Sequence, residues 1–132
     1  MQDSVFTKII KGEIPCHKVY EDEHTLAFLT NQPIRPGHTL VIPKKQVDHL
    51  WDLEAEDYQA VMAATQKVAQ RIREVFQPVR VGSHVAGLEV PHAHVHLFPY
   101  STNEEFWARP QPGVNDEELA EVAAKLRIED TA

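Results

Sequence analysis

Apolar and polar residues change their spacing several times along the chain, and each change marks an element. In residues 4–11, SVFTKIIK, the apolar Val5, Phe6, Ile9 and Ile10 share one side of a short helix. Asp3 or Ser4 is placed to cap it, and Gly12 ends it. HKVYEDE, residues 17–23, predicts a first strand turning at Glu21-Asp22-Glu23, and the β-prone run 25–29 predicts its hairpin partner. TNQPIRPG, residues 30–37, is a loop by composition. HTLVI, residues 38–42, predicts a third strand stopped by Pro43.

From about residue 54 to 76 the spacing becomes helical. Tyr58, Val61, Met62, Thr65, Val68, Ala69, Ile72 and Phe76 recur every three or four positions, and Pro78 closes the run. Residues 79–85 and 93–98 predict two more strands, with Gly87 and Pro91 in the loop between them. Residues 100–115 read as irregular. A last helix is predicted over 116–127, with Asn115 as N-cap and Glu118 completing a capping box. Hairpin-linked strands with helices set apart from them predict an α+β fold around a largely antiparallel sheet. There is no strand–helix–strand alternation and no glycine-rich phosphate loop, so a doubly wound nucleotide fold is not expected.

Composition narrows this further. The chain has 132 residues, which predicts one domain over 1–132. Thirteen Lys and Arg face twenty Asp and Glu, a net charge of -7, which argues against charge-driven nucleic-acid binding. No basic stripe with interleaved aromatics offsets that balance. Cys16 is the sole cysteine, so no intrachain disulfide can form. There is no signal-peptide pattern and no apolar run near the roughly 20 residues that span a bilayer. The expectation is a cytoplasmic protein with no membrane partner. Eight histidines stand out, because three of them lie within five residues.

Those three are in Pro91-His92-Ala93-His94-Val95-His96-Leu97-Phe98-Pro99. On a strand, His92, His94 and His96 would share one face, about 7 Å apart, while Ala93, Val95 and Leu97 faced a core. Three readings compete. The row is a solvated polar face, part of a metal site completed from elsewhere, or an anion-handling and nucleophilic site. The last suits imidazole best: the neutral ring attacks and the protonated ring holds phosphate.

The segment His92-Ala93-His94-Val95-His96-Leu97-Phe98 resembles the signature of the histidine triad (HIT) superfamily. FTKIIKGEIP, residues 6–15, is similar to that family's opening helix and turn, and PGHTLVIPKK, residues 36–45, to its central strand. The resemblance covers about residues 4–100 and leaves 101–132 as a variable C-terminal segment. It implies a five-stranded antiparallel sheet with one long helix and short terminal helices, in a homodimer whose sheets join. It implies hydrolysis or transfer at the α-phosphorus of a purine nucleotide or nucleotide conjugate, through a nucleotidyl-histidine intermediate and without a cofactor. His94 would be the nucleophile and His96 would hold the phosphoryl oxygens. His92 and His38 would complete the cluster. The substrate pocket would draw on Phe6, Ile9, Phe28, Leu29, Thr30, Asn31, Leu40, Leu88 and Glu89.

Four positions depart from the family pattern. Thr30 and Asn31 stand where an acidic residue often holds the ribose. The loop Gly87-Leu88-Glu89-Val90-Pro91-His92 lacks the usual glutamine and hydroxyl. The family's asparagine before that loop has Ser83 or His84 as its nearest counterpart, and a structural role is expected for His84. Ser4 and Thr7 occupy positions where some relatives carry zinc-binding cysteines, so no structural zinc is expected and His49 reads as a surface or packing residue. Three functions follow: a phosphoramidate or dinucleotide hydrolase acting through His94, a nucleotide-binding protein with little turnover, and a metal-dependent enzyme using the histidine row. The segment Phe106-Trp107-Ala108-Arg109-Pro110 is apolar within a loop, and is expected to pack across a dimer or over the nucleotide.

Overall fold

A computed structural model describes residues 2–129; the ends of the expected domain, residues 1 and 130–132, lie outside the described residues. The elements run α1 (Val5–Ile10), β1 (Lys18–Glu21), β2 (Thr25–Leu29), β3 (Thr39–Pro43), a 3-10 turn (Leu50–Asp52), α2 (Ala55–Phe76), β4 (Arg80–His84), β5 (Val95–Tyr100), α3 (Asn103–Phe106) and α4 (Asp116–Leu126). The strands form one antiparallel sheet in the order β1-β2-β3-β5-β4. This is the expected α+β architecture.

Alternation along the strands sorts side chains onto two faces. Ala27, Leu29, Val41, Val95 and Leu97 face α2 and meet Val61, Ala64, Val68 and Ile72. α4 adds Leu119, Ala123 and Leu126 to the same core. Each of these larger aliphatic side chains stabilises the fold by roughly 1.5–3 kcal/mol when fully buried. Leu26, Phe28, Leu40 and Ile42 point the other way, under α1, where Phe6 closes over them.

Local chemistry sets the helix limits. The Ser4 side chain accepts from Thr7 N–H at the start of α1. Gln77 takes a left-handed conformation (φ 50°) at the end of α2, just before Pro78. At the start of α2, buried Asp57 pairs with Lys45 at 2.9 Å and with His24 at 3.4 Å, tying the helix to the ends of β3 and the β1–β2 turn. Asn115 caps α4 by accepting from Glu118 N–H.

Two expectations need correction, and one short element was not anticipated. The segment read as irregular contains α3, which starts where Thr102 accepts from Glu105 N–H. A 3-10 turn at Leu50–Asp52 precedes α2. The strand expected over 93–98 begins at Val95 and runs to Tyr100, so His92 and His94 precede it. Pro91 supplies no N–H, His92 N–H bonds back to Val90 O, and Ala93 N–H is taken by Val47 O at 2.7 Å. The chain is therefore still turning at His92.

Candidate active site

The histidines do not form the straight row that alternation predicts. His94 and His96 are neighbours, with ring centroids 5.0 Å apart. His92 drops beneath α1, fully buried, its ring edge-on to Phe6 at 5.7 Å. His38, at the entrance to β3, joins from the neighbouring strand with its ring 5.2 Å from that of His96. All four histidines expected from the sequence are thus brought together, with His92 as support beneath the others.

Hydrogen bonds fix the protonation of each ring. Ile34 N–H donates to His38 Nδ1 (3.0 Å), so the His38 proton lies on Nε2. That N–H donates to His96 Nδ1 (2.9 Å), and His96 Nε2–H in turn donates to Ala86 O (3.0 Å). His92 donates from Nε2 to Pro43 O (2.8 Å), while Ser4 Oγ–H donates to its Nδ1 (2.8 Å). Thr7 and Gln46 brace that hydroxyl, through Thr7 N–H to Ser4 Oγ and Thr7 Oγ1–H to Gln46 Oε1. His94 donates from Nδ1 to His92 O (2.8 Å). Its Nε2 has no hydrogen-bond partner among the described residues. Of the eight ring nitrogens in these four histidines, that one alone is free.

Burial disfavours the charged form of three of these rings. It pushes His38 down to about 3, helped by the neighbouring His96 and His84, and pushes His96 to about 4, helped by His84 and His94 and opposed by the Ala86 carbonyl. Burial also lowers His92, against the opposing pull of the Pro43 carbonyl. No second cation is needed to hold His94 in its tautomer, because a main-chain carbonyl does so.

Beside the free nitrogen lies Gly87, with φ +134°; a Cβ there would stand 2.8 Å from His94 Nε2. A side chain at 87 would fill the space in front of that nitrogen.

The remaining predicted pocket residues divide. Phe6, Phe28 and Leu40 form the apolar wall next to His94, with Ile9 at its edge; the Phe6 and His94 rings are 5.2 Å apart. Leu29 points to the α2 face because it is one residue out of phase with Phe28. Thr30 and exposed Asn31 continue from the end of β2. Leu88 is fully exposed, and Glu89 is exposed with its carboxylate accepting from Leu88 N–H at 3.2 Å. A separate cavity of about 270 Å³ lies between the 30–38 loop and the C-terminal segment, lined by Leu29, Ile34, Leu119 and Val122, and touches the cluster only through His38.

Sequence reasoning missed two participants. His84, expected to be structural, pairs with His96 in the β4–β5 register and brings its ring to 4.4 Å from it. Ser4, read as a cap and as a position without the zinc-binding cysteine of some relatives, also orients His92. The register that brings β4 beside β5 carries no signal in a single sequence.

Metal binding would require dismantling this network. His38, His92 and His96 have both nitrogens engaged, and among the described residues no three His, Cys, Asp or Glu side chains are grouped to hold an ion.

Residues 11–103 match the family model for the HIT domain. The chain is 34% identical to "Protein hit" of Bacillus subtilis, covering 95% of this chain and 92% of that one. It is 32% identical to adenosine 5'-monophosphoramidase hnt1 of Schizosaccharomyces pombe, covering 93% and 98%. A crystal structure of a Hit-like protein involved in cell-cycle regulation from Bartonella henselae superposes with a TM-score of 0.84 at 34% identity, covering 95% and 94%.

Proposed function

The chain belongs to the HIT domain family, and from that premise we propose that it hydrolyses a nucleotide phosphoramidate or dinucleotide at the α-phosphorus, with His94 as nucleophile. The observation that carries this reading is the one free nitrogen among His38, His92, His94 and His96, which is His94 Nε2. Donation from Nδ1 to His92 O orients the ring so that Nε2 opens onto the space left by Gly87. Two relatives named as adenosine 5'-monophosphoramidases support the substrate class.

In the first half of the reaction, Nε2 forms a bond to phosphorus as the bond to the leaving group breaks. His96 turns its Nε2–H from Ala86 O to a phosphoryl oxygen. His38 holds His96 in the tautomer that can donate, and His92 holds the carbonyl that orients His94. In the second half, water displaces His94 and nucleotide leaves. The wall of Phe6, Ile9, Phe28 and Leu40 receives the base, with Thr30 and Asn31 toward the ribose. Phosphoryl transfer depends mainly on positioning and charge stabilisation, and this cluster supplies both.

The test is AMP release from adenosine 5'-phosphoramidate and from diadenosine polyphosphates. Wild type should release AMP, and His94→Ala should lose at least roughly 10³-fold in rate. Equal release by both would remove His94 from the chemistry. The departures at Thr30, Leu88 and Glu89 favour a second reading, a nucleotide-binding protein with little turnover. AMP binding by calorimetry with no release from any substrate would establish that reading instead. The paired assembly belongs to the same proposal: β4 is an end strand of the sheet. Sedimentation should give twice the chain mass.

A further inference from the structure

His84 is the one imidazole of the cluster that no hydrogen bond explains. It faces His96 across the β4–β5 ladder, with rings 4.4 Å apart, and lies 5.6 Å from the Phe98 ring. Among the described residues neither of its nitrogens has a hydrogen-bond partner, and the side chain is half-buried, so it is reachable from the site. A residue needed only to cover Phe98 would do so better as an aliphatic or aromatic side chain, without the cost of partly burying two polar atoms. The strand that carries His84 runs directly into the loop of Ala86 and Gly87, which border His96 Nε2 and His94 Nε2. His84 therefore stands at the mouth of the cluster, on the side of that loop.

We propose that His84 is a further catalytic residue, the proton donor to the departing group. This rests on the hydrolase reading above. The four site histidines are engaged otherwise: His38 and His92 hold their protons on His96 and Pro43 O, His96 gives its Nε2–H to a phosphoryl oxygen, and His94 is the attacking base. His84 is left with a nitrogen free to carry a proton to the departing group. As His94 Nε2 bonds to phosphorus and the phosphorus–nitrogen bond of a phosphoramidate breaks, His84 gives its proton to the departing nitrogen, which leaves as neutral amine. In the second half the neutral His84 takes a proton from the attacking water, the new phosphorus–oxygen bond forms, and the bond to His94 breaks. The sum is phosphoramidate plus water giving nucleotide plus amine, with both histidines restored.

The groups that face His84 set when it is charged. His94, His96 and His38 lie near it, and burial and the nearby His94 lower its affinity for a proton. Glu89, beyond Gly87, is the carboxylate of the adjoining loop. A phosphate entering the cluster brings negative charge and reverses the balance, so the acid is loaded by the substrate.

Leaving groups that differ in their need for a proton test this directly. The two probes are an N-alkyl adenosine 5'-phosphoramidate, whose amine must be protonated to leave, and the p-nitrophenyl ester of AMP, whose phenolate leaves without help. For His84→Gln and His84→Ala, kcat/KM for the alkyl phosphoramidate should fall by roughly 10²-fold or more, while the p-nitrophenyl ester falls only a few-fold. The ratio of the two rates is independent of how much variant folds. Equal losses would make His84 a supporting residue for His96 and overturn the proposal, as would no loss at all. If wild type releases AMP from neither probe, the hydrolase reading itself fails and this proposal falls with it.

Discussion

The two faces of the sheet are made from the same strands but are held together differently. On β5, Val95 and Leu97 face α2, while His96 and Phe98, one residue out of phase, face the other way. On the α2 face the contacts are apolar and non-directional, and any side chain of suitable volume would contribute. On the histidine face the rings of His38, His92, His94 and His96 are fixed by hydrogen bonds of one direction, several of them to the main chain. One side supplies stability and the other orientation. A period of two residues is enough to keep these tasks apart on a single ladder.

The largest break in this division comes from the α2 side. Ile72 is fully buried there, and Ile72→Ala should cost about 2–5 kcal/mol of stability, read from the urea midpoint. The kcat/KM of the protein that remains folded should stay close to wild type. A matching fall in kcat/KM would mean that the faces are coupled.

The converse break is Gly87→Ala. Its methyl group would approach His94 Nε2 at 2.8 Å, and φ +134° is costly for alanine, so the loop must shift. AMP release should fall about 10–100-fold with little change in the urea midpoint. Wild-type activity in this variant would show that the attacking nitrogen does not work in the space beside residue 87.

The smallest effect is on acid stability. Below the ordinary imidazole value of 6.5 the unfolded chain takes up protons that the folded chain refuses until about 3 at His38 and about 4 at His96. Stability is therefore full above 6.5 and falls as pH drops through that window, by on the order of 1 kcal/mol per pH unit from His38. Urea midpoints compared between pH 7 and pH 4.5 check the sign. A midpoint that held steady or rose would mean the rings are already charged in the fold.

The α2 face was legible in the sequence because it is periodic. Val61, Val68 and Ile72 at helical spacing and Val95 and Leu97 at strand spacing place that core without reference to any other segment. The four site histidines were legible through a motif and a resemblance, but their arrangement was not. The position of His92 depends on Pro91 turning the chain and on Ser4, 88 residues away, meeting its Nδ1. His84 depends on which residue of β4 stands opposite His96, and that register is set by the whole sheet. The resemblance puts Leu29 in the pocket with Phe28; alternation sends it to the opposite side. Alpha-helix α3 escaped notice because four residues are too few to show a period.

The tether from His94 Nδ1 to His92 O has one more consequence. It is made within three consecutive residues, so the reagent of this site is assembled by its own short stretch of chain. Glu89, Leu88, Thr30 and His84 take no part in that tether. In the mechanism proposed above, exchanging those neighbours would change the molecules admitted without disarming the attacking atom.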